Sequence, residues 1–318
     1  MVDAGVEAYR WTPTPGYRYT WFDDHVPTLS GLEIDLAEDD ILVIPEIEVL
    51  PHRDPAPGAR KVVFNQAYFL TFVACPDVDD YPGWAGETAI WTVSRESVDV
   101  LSGAIPHVRP QLIPNPVDAE LFGPADVRTP SIAWMARKRP GESVLLRRLL
   151  RNDPRCAGVE LREIRGLSHG QVAELMSTTS VFIAMGSPEG ESFGLPIAEA
   201  LASGCLVTGY ASGGGAELFD APGTWAVPDL RTALLADQAL DLVRRPDLEQ
   251  ARIDGRKWVT ERYNREVTTK ALLEAVERTR ALPGVASRAT HPVVWEAAEI
   301  QPFFAAARAS LEAAETGE

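Results

Sequence analysis

Short apolar runs recur along the chain, each bounded by turn residues and set apart from the next by a segment long enough for a helix. They are Ile41–Ile44, Lys61–Phe64, Ala89–Val93, Ser131–Met135, Val159–Arg162, Val181–Met185 and Leu206–Thr208. Unbroken apolar runs of this length predict strands buried on both faces, as in parallel sheets. Between them lie helical patterns such as Gln171–Met176. Strand and helix in alternation predict β-α-β units and a doubly wound α/β architecture, with right-handed crossovers.

Six prolines, Pro106, Pro110, Pro114, Pro116, Pro124 and Pro130, crowd one stretch. Proline in that density neither continues a helix nor sits in a central strand, so a linker is expected near 110–130. Three hundred and eighteen residues suffice for two domains. The expected division is a short first domain at 1–112, a second at 113–283, and a terminal segment at 284–318. The last carries an amphipathic pattern, Phe303–Leu311, expected to form a helix that packs back or meets a partner or a second copy.

Composition narrows the function classes. Forty-five per cent hydrophobic and 24% charged residues describe an ordinary globular chain. No apolar stretch is long enough to span a bilayer, and the start has no basic region followed by an apolar one, so a cytoplasmic location is expected. A net charge of −16 disfavours nucleic acid as a partner. The three cysteines, Cys75, Cys156 and Cys205, lie far apart with no C-x-x-C pair, and are expected to be small buried side chains. None of the five histidines falls in a motif. Charge is uneven: residues 1–60 hold twelve acids against four arginines, whereas Arg128–Arg165 holds ten bases against four acids. That basic island is either a solvated face or a receiver for a compact anion.

Chemistry concentrates between Val181 and Glu217. An apolar strand ends at Met185, a loop runs from Gly186 to Gly194, Leu195-Pro196 opens a helix, and Ser203-Gly204 closes it before the strand at Leu206. Open α/β sheets bind ligands at such carboxyl ends of strands. A helix N-terminus presents unpaired N–H groups and partial positive charge, so it receives phosphate. Glu191 and Glu199 would repel phosphate placed on them, and should face hydroxyls instead, because a carboxylate only accepts. A ligand with both a diphosphate and vicinal diols satisfies the two demands together. A nucleotide-sugar is such a ligand.

The run Glu191–Gly204 resembles the E-x7-E signature, E-G-F-G-L-P-x-x-E-A-M-A-x-G, of retaining GT-B glycosyltransferases of family four. Ile113–Phe122 is similar to that family's I-P-N-G-V-D-x-x-x-F, and Gly213–Leu218 to its glycine pair and following glutamate. The resemblance covers roughly 111–265 and implies two Rossmann-like domains and transfer of a hexose or deoxyhexose, with retention, from a nucleoside diphosphate to an acceptor that it does not identify. It implies that Glu191 contacts the transferred sugar and Glu199 the ribose. It also implies that Ser192, Phe193, Gly194 and Leu195 approach the donor. Arg137, after the strand Ile132–Met135, would grip the diphosphate; the family's lysine matches Lys138 or Arg139. Glu191 and Arg137 are thus the expected catalytic residues. No metal and no cofactor are expected.

The chain departs from that pattern in three ways. Ser192 and Ala136 replace glycines, and the first domain is short and has no glycine-rich loop after its first strand. Two alternatives therefore stay open: a GT-B sugar-nucleotide epimerase, and a nucleotide-sugar-binding subunit without activity of its own.

Overall fold

The computed structural model describes residues 2–17, 25–75, 79–188 and 190–292. The expected terminal helix, Phe303–Leu311, lies outside them. The chain forms two compact units, one of residues up to Pro114 together with those from Thr268 onward, the other Asn115–Val267.

The first unit begins with short strands β1 (Arg10–Thr12), β2 (Thr28–Ser30) and β3 (Glu33–Leu36). There follow β4 (Ile41–Pro45), β5 (Arg60–Asn65), helix α1 (Tyr68–Ala74), β6 (Thr88–Thr92), α2 (Arg95–Ala104) and β7 (Gln111–Leu112). Strands β4-β5-β6-β7 form one parallel sheet in chain order. Neighbouring residues of a strand serve opposite faces. Leu42, Ile44, Val63 and Ile90 pack with Leu101 of α2 and with Ile105 just after it, while Val62, Ala89 and Trp91 enter a second cluster. Lys61 interrupts this apolar run yet is 1% exposed. Its ammonium donates to the carbonyls of Ala56 (2.8 Å) and Ala59 (3.1 Å) and lies 3.1 Å from Asp54.

The second unit contains β8 (Ser131–Met135), α3 (Pro140–Asn152), β9 (Glu160–Ile164), α4 (His169–Ser177), β10 (Val181–Ala184), α5 (Leu195–Ala202), β11 (Leu206–Tyr210), β12 (Thr224–Val227), α6 (Thr232–Val243) and α7 (Glu249–Arg262). Its five strands are all parallel, in the order β12-β11-β10-β8-β9. Leu146 and Leu150 of α3 and Leu235, Ala239 and Leu240 of α6 join Ile132, Trp134, Ile183 and Leu206 in its core. Trp134 is wholly buried, with its indole N–H donating to Ser143 Oγ at 2.7 Å. Because β8 is flanked by both β9 and β10, the chain reverses direction across the sheet between β8 and β10. The loops leaving those two strands therefore flank the topological switch point, the place at which such sheets bind ligands.

Helix α8 (Arg265–Arg280) and β13 (Ser287–Thr290) complete the described chain. The two units divide at Pro114/Asn115 and again at Val267/Thr268. The cause is packing: Leu272, Ala275, Val276 and Leu282 join Val62, Ala89, Trp91 and Ile113 of the first unit, and β13 pairs antiparallel with β3. Among the described residues no helix is long and apolar enough to cross a membrane. The cysteines are free thiols, Cys75 and Cys205 buried as expected and Cys156 only partly so.

Candidate functional site

Both loops at the switch point are positioned by strand ends. The first, Ala136–Arg139, joins β8 to α3; the second, from Met185 to Gly194, joins β10 to α5. Glu189 in the second loop lies outside the described residues. Gly194 precedes α5 with φ +88°, a left-handed conformation open to glycine at little cost, and a Cβ there would stand 3.3 Å from Gly215 Cα. The backbone amides of Phe193, Gly194 and Leu195 have no hydrogen-bond acceptor among the described residues. Gly194 and Leu195 are the N-cap and first residue of α5, where N–H groups have no partner within the helix.

Lys138 Nζ lies 2.6 and 2.7 Å from the two carboxylate oxygens of Glu191. The carboxylate is 12% exposed and the lysine 33%. Ser187 N–H donates to Glu191 Oε1 at 3.0 Å, and the Glu191 carbonyl accepts from Gly214 N–H at 2.5 Å. Gly186 allows this close packing, since a Cβ there would meet Ser212 Oγ at 2.8 Å and Glu191 Cγ at 2.9 Å. The triple glycine 213–215 is therefore no loose turn. It begins a 3-10 segment, Gly213–Asp220, seated against Glu191 and Gly194.

Arg139 is 4% exposed and fully engaged. Nε donates to the Gly186 carbonyl at 2.6 Å, its terminal nitrogens reach Glu142 (3.1 Å) and Asp229 (2.9 Å), and its guanidinium lies 5.0 Å from the Tyr210 ring centre. Tyr210 and Thr232 hydroxyls also donate to Glu142. Burial favours the neutral acid at Glu142, but these donors outweigh it and hold its pKa below the ordinary value. Arg137, by contrast, is exposed and makes no ion pair among the described residues.

Glu199, on α5, has a carboxylate 12% exposed, and His169 Nε2 lies 3.0 Å from its Oε1. Burial pushes the Glu199 pKa up, opposed by His169. The His169 ring lies 5.0 Å from that of Phe122. Phe193 is buried with its ring 4.9 Å from that of Tyr263, whereas Ser192 is half-buried and Leu195 exposed.

Comparison with known proteins gives four findings. No family model matches the chain. An alpha-1,6-glucosyltransferase of Actinobacillus pleuropneumoniae is 27% identical over 187 residues, 56% of this chain and 54% of that protein. The chain thus spans about half the length of that relative. Among solved structures, a Rickettsia africae glycosyltransferase superposes with a TM-score of 0.51 at 15% identity, covering 69% of this chain and 77% of that one. S. aureus TarM, solved with UDP, gives 0.55 at 11% over 70% and 56%, and Anabaena HepE with UDP and glucose 0.54 at 15% over 68% and 71%. The fold is that of GT-B glycosyltransferases.

Of the residues expected at the site, the structure pairs Lys138 with Glu191 and seats Glu191 and Gly194 on the same glycine, Gly215. Arg139 supports the Gly186 carbonyl, and Arg137 stands exposed on the same loop. His169 went unnoticed in the sequence. Its one local signal is the capping pattern Ser168–Gln171, which places it at the first turn of α4; its contact with Glu199 spans thirty residues.

Proposed function

We propose that this chain is a glycosyltransferase that moves a hexose or deoxyhexose from a nucleoside diphosphate donor to an acceptor with retention, and that the second unit binds the donor. One observation carries this reading: an ammonium and a carboxylate face each other at the switch point, beside three unsatisfied helix-start amides. A single ligand that offers a diphosphate to Lys138, Arg137 and the amides, and sugar hydroxyls to Glu191, replaces every contact that it breaks. The glucosyltransferase relative and the UDP-bearing neighbours support the same assignment.

In this mechanism negative charge develops on the departing diphosphate, where preorganised donors lower the barrier most. Lys138 and Arg137 supply mobile positive charge, and the amides of Phe193, Gly194 and Leu195 supply fixed dipoles. Glu191 orients the sugar through its hydroxyls. Glu199 accepts from the ribose. As the bond from the anomeric carbon to phosphate breaks, the acceptor oxygen bonds to that carbon from the same face and its hydroxyl proton passes to the departing diphosphate, so the anomeric configuration is kept without a separate general acid.

Thermal shift against UDP, GDP, ADP and dTDP, followed by NMR of the product formed from the corresponding labelled sugar donor, tests the proposal. A nucleotide-dependent rise in melting temperature and a product of unchanged anomeric configuration are expected. Failure of every nucleotide to shift the melt overturns the donor reading. An inverted product overturns retention alone, and a new sugar isomer formed without acceptor places the chain with epimerases.

A further inference from the structure

Glu199 sits in an environment that works against its proposed task. A carboxyl group removed from water tends toward its neutral form, in which one oxygen carries a proton and the group accepts more weakly than a carboxylate. Its one partner among the described residues is His169, whose Nε2 approaches Oε1 at 3.0 Å, while Oε2 is left without one. The imidazole, although 54% exposed, is fixed from two directions. Its backbone opens α4 under a capping box, in which Ser168 Oγ accepts from Gln171 N–H and Gln171 Oε1 from Ser168 N–H. Its ring leans on Phe122, which is 1% exposed and whose carbonyl accepts from Arg256 at 2.9 Å. A rigid aromatic thus backs a histidine that holds one oxygen of a buried acid.

We propose that His169 is a positioning residue for nucleotide recognition: by holding Oε1 of Glu199 it presents Oε2 to a ribose hydroxyl of the donor. The inference rests on the assignment of Glu199 to the ribose made above. It also gives Phe122, the last residue of the I-P-N-P segment, a physical task, as the wall against which the imidazole is set.

The test measures calorimetric binding of whichever of UDP, GDP, ADP and dTDP binds tightest, and of its 3′-deoxy counterpart, to wild type, Glu199→Ala, His169→Ala and His169→Gln. A hydrogen bond to a charged group is worth about 10- to 100-fold in affinity. Wild type should therefore prefer the hydroxylated nucleotide by roughly 10-fold or more. His169→Ala should weaken that nucleotide by about 10-fold and shrink the preference to about 3-fold or less, as Glu199→Ala does. His169→Gln, whose amide N–H still donates, should restore most of the preference. If His169→Ala melts before wild type by more than a few degrees, His169→Gln and its preference ratio decide. Wild-type affinity and preference in both histidine variants, with both lost in Glu199→Ala, overturn the role of His169 alone. No change in Glu199→Ala either removes the ribose assignment while the donor reading stands. Absence of nucleotide binding in wild type overturns the donor reading and this inference with it.

Discussion

Glu191 and Lys138 are each other's counter-ions; Lys138 is a third exposed, and Glu191 keeps the Ser187 N–H when the lysine is removed. Stability should change little and activity much: Glu191→Ala, Lys138→Ala and Arg137→Ala are each expected to lower turnover by roughly 100-fold, as loss of a preorganised charge contact does. Donor turnover with water or a found acceptor, alongside melting curves, checks this; wild-type rates in all three would remove the site. Lys61 is the opposite case, since its ammonium is sealed under the first sheet with two carbonyls and Asp54. Lys61→Ala takes the ammonium from the Ala59 carbonyl and leaves Asp54 Oδ2 without its counter-ion, and should cost about 3 kcal/mol in chemical denaturation. Glu48 carries a pH signature. Burial pushes its pKa up to about 7, above its ordinary 4.5. A carboxyl whose folded pKa lies above its unfolded one destabilises the fold progressively as pH rises from about 4.5 to about 7, and fully above that. Glu48→Gln should therefore stabilise the protein at pH 8 and be neutral near pH 4.

At the scale of elements, two helix starts carry the candidate site, and each is made by a different device. Helix α5 begins from Gly194 in the left-handed region, where a Cβ would also stand 3.2 Å from Ile197 Cδ1. Gly194→Ala should cost about 1–2 kcal/mol from backbone conformation alone and shift the backbone that carries the amides of 193–195. The nucleotide-induced rise in melting temperature should fall accordingly. Helix α4 instead begins from a side-chain cap. The first start was read from the sequence, as Leu195-Pro196 after Gly194, because such signals are local chemistry; the Ser168 cap of the second was not. The strands were legible for the same kind of reason: burial on both faces leaves unbroken apolar runs such as Val181–Ala184. Lys61 was not, for a charged residue in such a run gives no sign of whether carbonyls await it.

At the scale of the molecule, each unit has its own sheet and core, and a nucleotide bound at the switch point stabilises the second. At about 100 times its dissociation constant it adds about 2.7 kcal/mol, which hydrogen exchange should locate within Asn115–Val267 and not in β4–β7. The amino-acid sequence alone determined the alternation of strand and helix and the glycine- and proline-marked loop that opens α5. These follow from periodicity, turn residues and caps, whose physics acts over a few neighbours. Tertiary structure alone decided the rest. That β8 stands between β9 and β10 creates the switch point. That Lys138 rather than Arg139 faces Glu191 depends on which basic side chain the Glu142–Tyr210 network captures. That His169 meets Glu199, and that residues after Val267 return to the first sheet, are contacts between distant segments. Such contacts are chosen by packing among many chain positions at once, and local sequence does not encode them.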